Sequence, residues 1–424
     1  MTMTAVRSDR LLARADGRPA TGRGPIERLA IAAGRFVLRR TRHERLVVHD
    51  RVPGRPRITS TYGADAAADA QVDASVVVHD ERAYAALVQE GSIGFGRGYV
   101  EGWWTSDDPV AVVRFAIRNM AALDQFRNRV HRMTGWATDP IRNLLPHDSR
   151  ERNREDIGAH YDIGNDFFEL FLDETMTYSS AVFPSWDTSL TDASRHKIDL
   201  LLDRLELSAD HHLLEIGTGW GALAVRAAGE RGARVTTTTI STEQHAEATR
   251  RVEGAGLADR VTLLDADWRD LTGTYDRVVS VEMIEAVDWR DYDAFFRQIE
   301  QRLAPGGKAA LQAICLPDER WARAKNTEDF IRRFVFPNGF LPSVAAIEAS
   351  VRRATSLRVV AVTDHTPHYA ETLRQWRETF DARIDEVAAL GLDGRFQRLW
   401  RGYLAYCEAG FLERHVRLVQ LTLE

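Results

Sequence analysis

The segment Leu213-Leu-Glu-Ile-Gly-Thr-Gly-Trp-Gly221 constrains the fold more than any other part of the chain. A short apolar run enters three glycines spaced Gly-x-Gly-x-Gly, and a helical pattern follows directly. Glycines there let the backbone approach a ligand, and the helix start presents unpaired N–H groups to it. A turn of this kind belongs in an alternating α/β chain, and its surroundings alternate. Periodicity predicts a helix over 189–206, a strand over 212–216, a helix over 221–231 and a strand over 233–240. A helix over 243–254, strands over 260–264 and 275–281, a helix over 290–303 and a strand over 307–315 follow. Strands separated by helices imply a parallel sheet with crossover helices. Beyond it, 317–357 reads as largely helical, 357–362 and 416–423 as strands, and 369–412 as a long helical segment.

The glycine spacing also bears on the ligand. A dinucleotide fold carries Gly-x-Gly-x-x-Gly and an acid at the end of its second strand, roughly 20 residues on. Here the third glycine comes one residue early, and the second strand ends Thr236-Thr-Thr-Thr-Ile-Ser241 without an acid. Glu215 instead stands two residues before Gly217, placed to hold the loop or to attract the cationic amino-acid end of S-adenosylmethionine (SAM). Asp267, just past the third strand, is placed to meet an adenine edge, with Trp268 available for stacking. These residues point to SAM rather than to a nicotinamide cofactor.

The chain has 424 residues, 44% of them hydrophobic, which is enough for two or three domains. Its net charge of -6 does not point to nucleic acid. Cys315 and Cys407 lie outside any CxxC spacing, so neither a metal centre nor a disulfide framework is expected. No apolar run approaches the roughly 20 residues of a spanning helix, and the start lacks a secretory h-region. A soluble, cytoplasmic protein is therefore expected. Residues 1–25 read as a disordered tail. An N-terminal domain is expected over 26–137. It opens with a basic helix over 26–46, followed by short strands at Val47-Val48, Arg57–Thr59 and Ala74–His79 and a helix between Asp80 and Gly91. In Gly91–Trp104, glycines beside aromatics predict tight turns around an aromatic cluster. A second basic amphipathic helix covers 109–133. Residues 138–154 read as a linker to a domain over 155–424, with helical insertions at about 317–356 and 369–412.

Several motifs then fall in order along the chain. They are Gly94-Phe-Gly-Arg-Gly-Tyr-Val-Glu-Gly-Trp-Trp104, His160-Tyr-Asp-Ile-Gly-Asn-Asp-Phe167 and Met176-Thr-Tyr-Ser-Ser180. After the glycine loop come Thr239-Ile-Ser-Thr-Glu-Gln244, Asp265-Ala-Asp-Trp-Arg-Asp270 and Ser280-Val-Glu-Met-Ile-Glu-Ala286. Phe336–Pro342 and Tyr403-Leu-Ala-Tyr-Cys-Glu-Ala-Gly-Phe411 complete the series. In these motifs, from about Ala74 to its end, the chain resembles the cyclopropane-fatty-acyl-phospholipid synthase family, SAM-dependent enzymes that modify the double bond of unsaturated acyl chains. The resemblance implies a Rossmann-like methyltransferase fold, with a mostly parallel seven-stranded sheet and helical insertions. A smaller, mainly helical α+β N-terminal domain goes with it. It also implies SAM contacts from Tyr178, Ser179, Gly217, Gly219, Thr239, Gln244, Asp267 and Trp268. For Tyr178 and Trp268 the alternative is core packing.

An alkene is a poor nucleophile, so it must be held against the sulfonium methyl in a dry pocket. Methylation leaves a cation on the neighbouring carbon, and a base must remove a proton. Direct loss from the new methyl closes a cyclopropane, whereas loss after a hydride shift gives a methylene branch. The resemblance attributes the base to a bound bicarbonate, with Glu285, Tyr369 and the backbone of Ile314 matching its holders. Two positions depart from the family: its frequent Cys is Ser180 here, and its frequent His is Gln312, which can donate to an anion but does not titrate. Glu285 acting directly is the alternative base. Cys407 matches a cysteine often marked as active, although a buried Cys is usually a small hydrophobe. The pairing of Glu282–Ala286 with Leu311–Ile314 resembles an actinobacterial branch that converts oleoyl phospholipid to 10-methylene- and then 10-methyl-branched stearoyl chains (tuberculostearic acid). The alternatives are a cyclopropane product, an acyl-carrier-bound or small soluble acceptor, and a SAM-binding protein without catalysis. A phospholipid substrate implies peripheral attachment to the inner face of the cell membrane, and the basic helices 26–46 and 109–133 suit anionic headgroups. The resemblance further implies a homodimer, and a methyl-branched end product requires a reductase partner.

Overall fold

Short alternating runs such as Leu46/Val48 and Ala74/Val76/Val78 can bury only one face, and they form a small sheet that does so. Its strands are β1 (Arg45–Asp50), β2 (Ile58–Gly63), β3 (Asp73–Val78) and β4 (Trp104–Thr105), in the order β2-β1-β3-β4. β1 runs parallel to β3, and the other two pairings are antiparallel. A computed structural model describes residues 25–63, 72–125, 163–325, 327–337 and 339–424. They divide into two compact units. The small sheet belongs to the first, made of the described residues within 1–146, 326–337 and 380–415. The sequence-based tail and linker, 138–154 among them, lie outside the described residues apart from Pro25.

The glycine-rich stretch after Gly91 is a helix, Ser92–Val100, and not the series of turns its composition predicts. Close packing outweighs glycine's poor helix propensity there. A Cβ on Gly94 would lie 2.1 Å from the Ala86 carbonyl oxygen, and one on Gly96 would lie 2.1 Å from the Phe330 ring. The expected aromatic cluster is present: Phe95 stacks on Trp104 at 4.6 Å, and Trp104 Nε1 donates to the Phe95 carbonyl.

The first basic helix is shorter than predicted: it spans Pro25–Leu38, and Arg45 already begins β1. The second spans Pro109–Arg118, is interrupted at Asn119, whose side chain is tied to the backbone of Arg42 and His43, and is helical again over 120–125; the rest of its predicted span lies outside the described residues. Its apolar face is buried, and Arg114 and Arg118 each donate to Glu413 at 2.7 Å. Those two cations are therefore engaged within the fold.

The second unit holds the seven-stranded sheet. Its strands are β5 (His212–Ile216), β6 (Arg234–Thr239), β7 (Val261–Asp265), β8 (Tyr275–Val281), β9 (Leu303–Cys315), β10 (Val359–Asp364) and β11 (Arg417–Leu423). The order is β10-β11-β9-β8-β5-β6-β7, parallel from β9 to β7, with β11 antiparallel to both of its neighbours. Successive residues feed opposite faces: Leu213, Val279 and Ala310 join one buried cluster, and Leu214, Val278 and Ala309 the other. The strand order reverses between β5 and β8, and α/β sheets bind ligands at the carboxyl edge of such a point.

The expected insertion at 369–412 is three helices, Thr366–Ala382, Ile384–Ala389 and Gly394–Leu412. Residues 326–337 and 380–415 belong to the first unit rather than to the sheet's domain. The physical reason lies on the last helix, where Ala405 and Ala409 pack on Val110 and Val113. No helix among the described residues is long and apolar enough to cross a membrane. Gly94→Ala is expected to destabilise the protein by about 1–3 kcal/mol through overpacking, read as a lower denaturation midpoint. An unchanged midpoint would show that the helix Ser92–Val100 and the helix Arg82–Glu90, which carries Ala86, separate freely.

Candidate active site

At the end of β5 the loop turns through three left-handed glycines, Gly217 (φ +102°), Gly219 (φ +53°) and Gly221 (φ +91°). The N–H groups of Gly217 and Thr218 both donate to the Thr238 carbonyl, which pins the loop against β6. A Cβ on Gly219 would meet nothing within 4 Å, so this face of the loop is open to a ligand. Glu215 is buried, and its Oε2 accepts from Thr237 Oγ1 at 2.7 Å. Burial pushes its pKa up to about 8. Of the two roles its position allows, the hydrogen bond matches holding the loop's base.

Thr239 closes β6, and its Oγ1 donates to Gln244 Oε1 at 3.0 Å. Past β7, Asp267 caps the turn Trp268–Asp270, and its Oδ1 accepts from the backbone and guanidinium of Arg269. Trp268 is buried edge-on to Phe295. Tyr178 packs among Phe168, Phe171 and Trp376. Trp220 in the glycine loop donates to Asn165 of the preceding segment. The open glycine face, the Thr239–Gln244 pair and the Asp267–Trp268 turn lie at the carboxyl ends of β5, β6 and β7, and this donor set fits SAM.

Beside the loop, Ser280 Oγ on β8 donates to the Ile216 carbonyl and ties the two strand ends together. Glu282 follows with φ +49°, its N–H held by the Gln312 carbonyl. Three donors converge on its carboxylate. Ser180 N–H (2.9 Å) and Gln312 Nε2 (2.8 Å) meet Oε1, and the Tyr369 hydroxyl (2.7 Å) meets Oε2. Gln420 Nε2 donates to Gln312 Oε1, which fixes the sense of the Gln312 amide. Glu285 takes the Ile314 N–H at 2.5 Å on Oε1, and its buried Oε2 has no hydrogen-bond partner among the described residues. Burial, reinforced by Glu282, pushes the Glu285 pKa up to about 8, and burial raises that of Glu282 too.

Glu282 and Lys197 are the functional residues that sequence reasoning missed. Lys197 is only 2% exposed, and its Nζ donates to Ser179 Oγ at 2.8 Å. Burial pulls its pKa down to about 8 against the attraction of Glu282, Asp173 and Glu215. The available signal was a lysine on the apolar stripe that holds Ile198, Leu201 and Leu205. For Glu282 the signal was an acid ending β8 as Glu215 nearly ends β5. Ser180, Gln312 and Tyr369 are brought together, but around Glu282 rather than Glu285. Cys407 is not among them: it sits on the helix Gly394–Leu412 in the first unit. Its thiol is half-buried, and desolvation and Asp329 hold its pKa above the usual range.

Fold and site together define a Rossmann-like, SAM-dependent methyltransferase. Residues 148–421 match the family described as mycolic acid cyclopropane synthetase, and the chain belongs to that family. It is 42% identical over 416 residues, 95% of this chain and 93% of the relative, to the tuberculostearic acid methyltransferase UfaA1 of Mycobacterium tuberculosis. It is 32% identical over 378 residues, 85% of this chain and 90% of the relative, to the cyclopropane-fatty-acyl-phospholipid synthase of Escherichia coli K12. Among solved structures, the cyclopropane synthase MmaA2 of Mycobacterium tuberculosis matches with a TM-score of 0.60 at 30% identity, covering 66% of this chain and 99% of that one. The mycolic acid cyclopropane synthase CmaA1 in complex with SAH and CTAB also matches with a TM-score of 0.60, at 31% identity and the same two coverages.

A carboxyl whose folded pKa exceeds its unfolded value binds its proton more tightly in the native state, so stability falls as pH rises between the two values. For Glu285 that window runs from 4.5 to about 8. Glu285→Gln removes the effect. The stability difference, variant minus wild type, is expected to grow from about pH 5 to about pH 8 in denaturant titrations. A pH-independent difference would refute the burial-driven shift.

Proposed function

We propose that the chain transfers a methyl group from SAM to the double bond of an oleoyl chain in a membrane phospholipid, giving a 10-methylene-branched chain, the precursor of tuberculostearic acid. The observation that carries this reading is the enclosed group of Glu282, Glu285, Gln312, Tyr369 and Ser180 at the end of β8. A lone-pair acceptor can lose its N–H or O–H proton to water, whereas a methylated alkene is a carbocation that water would capture, so its base must be supplied by the site itself.

Bound by the glycine loop with Thr239, Gln244 and the Asp267–Trp268 turn, SAM supplies an electrophilic methyl group. The chain's own residues do the rest. Tyr178, Phe168 and Trp376 wall the centre with rings and exclude water. The buried carboxyls offer an acceptor for the proton that the methylated chain must lose. Loss after a hydride shift gives the methylene branch, and direct loss from the new methyl would give a cyclopropane. That second reading is favoured by the similarity to the Escherichia coli enzyme. A homodimer, and a separate reductase for a methyl-branched end product, belong to the same proposal. Incubation with oleoyl phospholipid and SAM, followed by mass spectrometry of derivatised chains, is expected to place a methylene at carbon 10. A cyclopropane would overturn the product, and turnover only on acyl-carrier-bound or soluble acceptors would overturn the substrate.

A phospholipid acyl chain calls for docking at the membrane surface. Arg39, Arg40 and Arg42 are exposed at the end of the first helix, and Leu29 and Phe36 are exposed on it. The Arg40 guanidinium lies over the Phe36 ring. Basic groups beside exposed apolar side chains suit an anionic bilayer interface. Binding to anionic liposomes is expected to fall with salt, and to fall further when Arg39, Arg40 and Arg42 are changed to Glu. Equal binding by that variant would count against this surface.

A further inference from the structure

We propose that the Glu282 carboxylate is itself the base of this centre, standing where the family resemblance puts a bound bicarbonate, and that it takes the proton from the methylated acyl chain. The inference rests on the acyl-methylation reading above.

The geometry supplies the argument. Among the residues tied by resemblance to the bicarbonate site, Ser180, Gln312 and Tyr369 all direct a donor at Glu282, at 2.9, 2.8 and 2.7 Å. A carboxylate and a bicarbonate present the same planar pair of oxygens to such donors. A side chain that already satisfies all three leaves them nothing to offer a free ion. An ionised carboxylate has about four acceptor sites, and among the described residues Oε2 takes the Tyr369 hydroxyl alone, which leaves a lone pair there for a proton. Gln420 locks the Gln312 amide with its NH₂ toward Glu282.

The backbone is shaped for this placement. Glu282 holds φ +49°, a region that strains any residue with a Cβ, and its N–H is tied to Gln312 of β9. The charged groups facing Glu282 are Lys197 and Glu285, with Asp173 and Glu215 facing Lys197 in turn. Burial raises the pKa of both carboxyls, and at Glu282 the Gln312, Tyr369 and Ser180 donors pull against that rise. In the step itself, the C–H bond beside the cation breaks. Its electron pair forms the methylene double bond, and the proton goes to Glu282 Oε2, leaving a neutral carboxyl that returns the proton to water after product release.

The test uses the full-length enzyme in buffer stripped of carbon dioxide. Wild type is expected to turn over at the same rate with and without added bicarbonate. Glu282→Gln should lower kcat by at least about 100-fold while SAM affinity stays within a few fold. Glu282→Gly, which relieves the positive φ and frees the three donors, should be inactive until bicarbonate is added. By ¹³C NMR, labelled bicarbonate should bind saturably to Glu282→Gly and not to wild type. The proposal is overturned if wild type needs bicarbonate, if wild type binds it as Glu282→Gly does, or if Glu282→Gln remains active. Should wild type fail on oleoyl phospholipid, the substrate reading falls, and the ¹³C comparison still judges Glu282.

Discussion

Much of the second unit answers to one electrostatic constraint: carboxyl groups are gathered where β5 and β8 end, Glu215 buried and Glu282 and Glu285 half-buried. Burying an ionised carboxylate without partners costs several kcal/mol. The chain meets that cost with directed donors. Thr237 serves Glu215, the Ile314 amide serves Glu285, and Ser180, Gln312 and Tyr369 serve Glu282. One buried cation, Lys197, lies within electrostatic reach of Glu215, Glu282 and Asp173. The donors come from β6, β9, the helix Thr366–Ala382 and the loop that carries Ser180, so the register of the sheet and the seat of that helix are fixed by the same contacts that tune the site.

This arrangement makes catalysis and stability parts of one network. Ser179, expected at the cofactor, is held by Lys197, and Lys197 lies in the field of the carboxylates next to the reacting centre. A change at any member alters the solvation of the rest, because in a low-dielectric interior an unpaired group keeps its full penalty. One of the left-handed non-glycine residues falls at the same place. Glu282 adopts a left-handed backbone that the β9 carbonyl of Gln312 holds in position.

Much of the fold was legible in the sequence, because β5 to β9 and their crossover helices follow apolar periodicity. The glycine loop was legible for the same local reason. Three features were not, and each is tertiary. Gly94 and Gly96 sit in a helix because Ala86 and Phe330 press against them, which composition alone reads as turns. The helix Gly394–Leu412 joins the first unit because two alanines on it meet Val110 and Val113, residues almost 300 positions earlier in the chain. Glu282 was named within its motif but not as a site residue. Its partners at 180, 312 and 369 are distant in sequence, and only the closed sheet brings them together.

The two departures from the family pattern take on a different meaning once Glu282 is placed. A histidine at position 312 could donate, accept or carry charge, so it could share a proton with a neighbouring anion. Glutamine offers a fixed amide, and Gln420 removes its remaining freedom to flip. Ser180 is bonded through its backbone N–H, so the loss of a thiol there leaves that donor unchanged. Neither substitution dismantles an anion site. Together they narrow it to one oriented acceptor, the carboxylate that the chain itself carries at position 282.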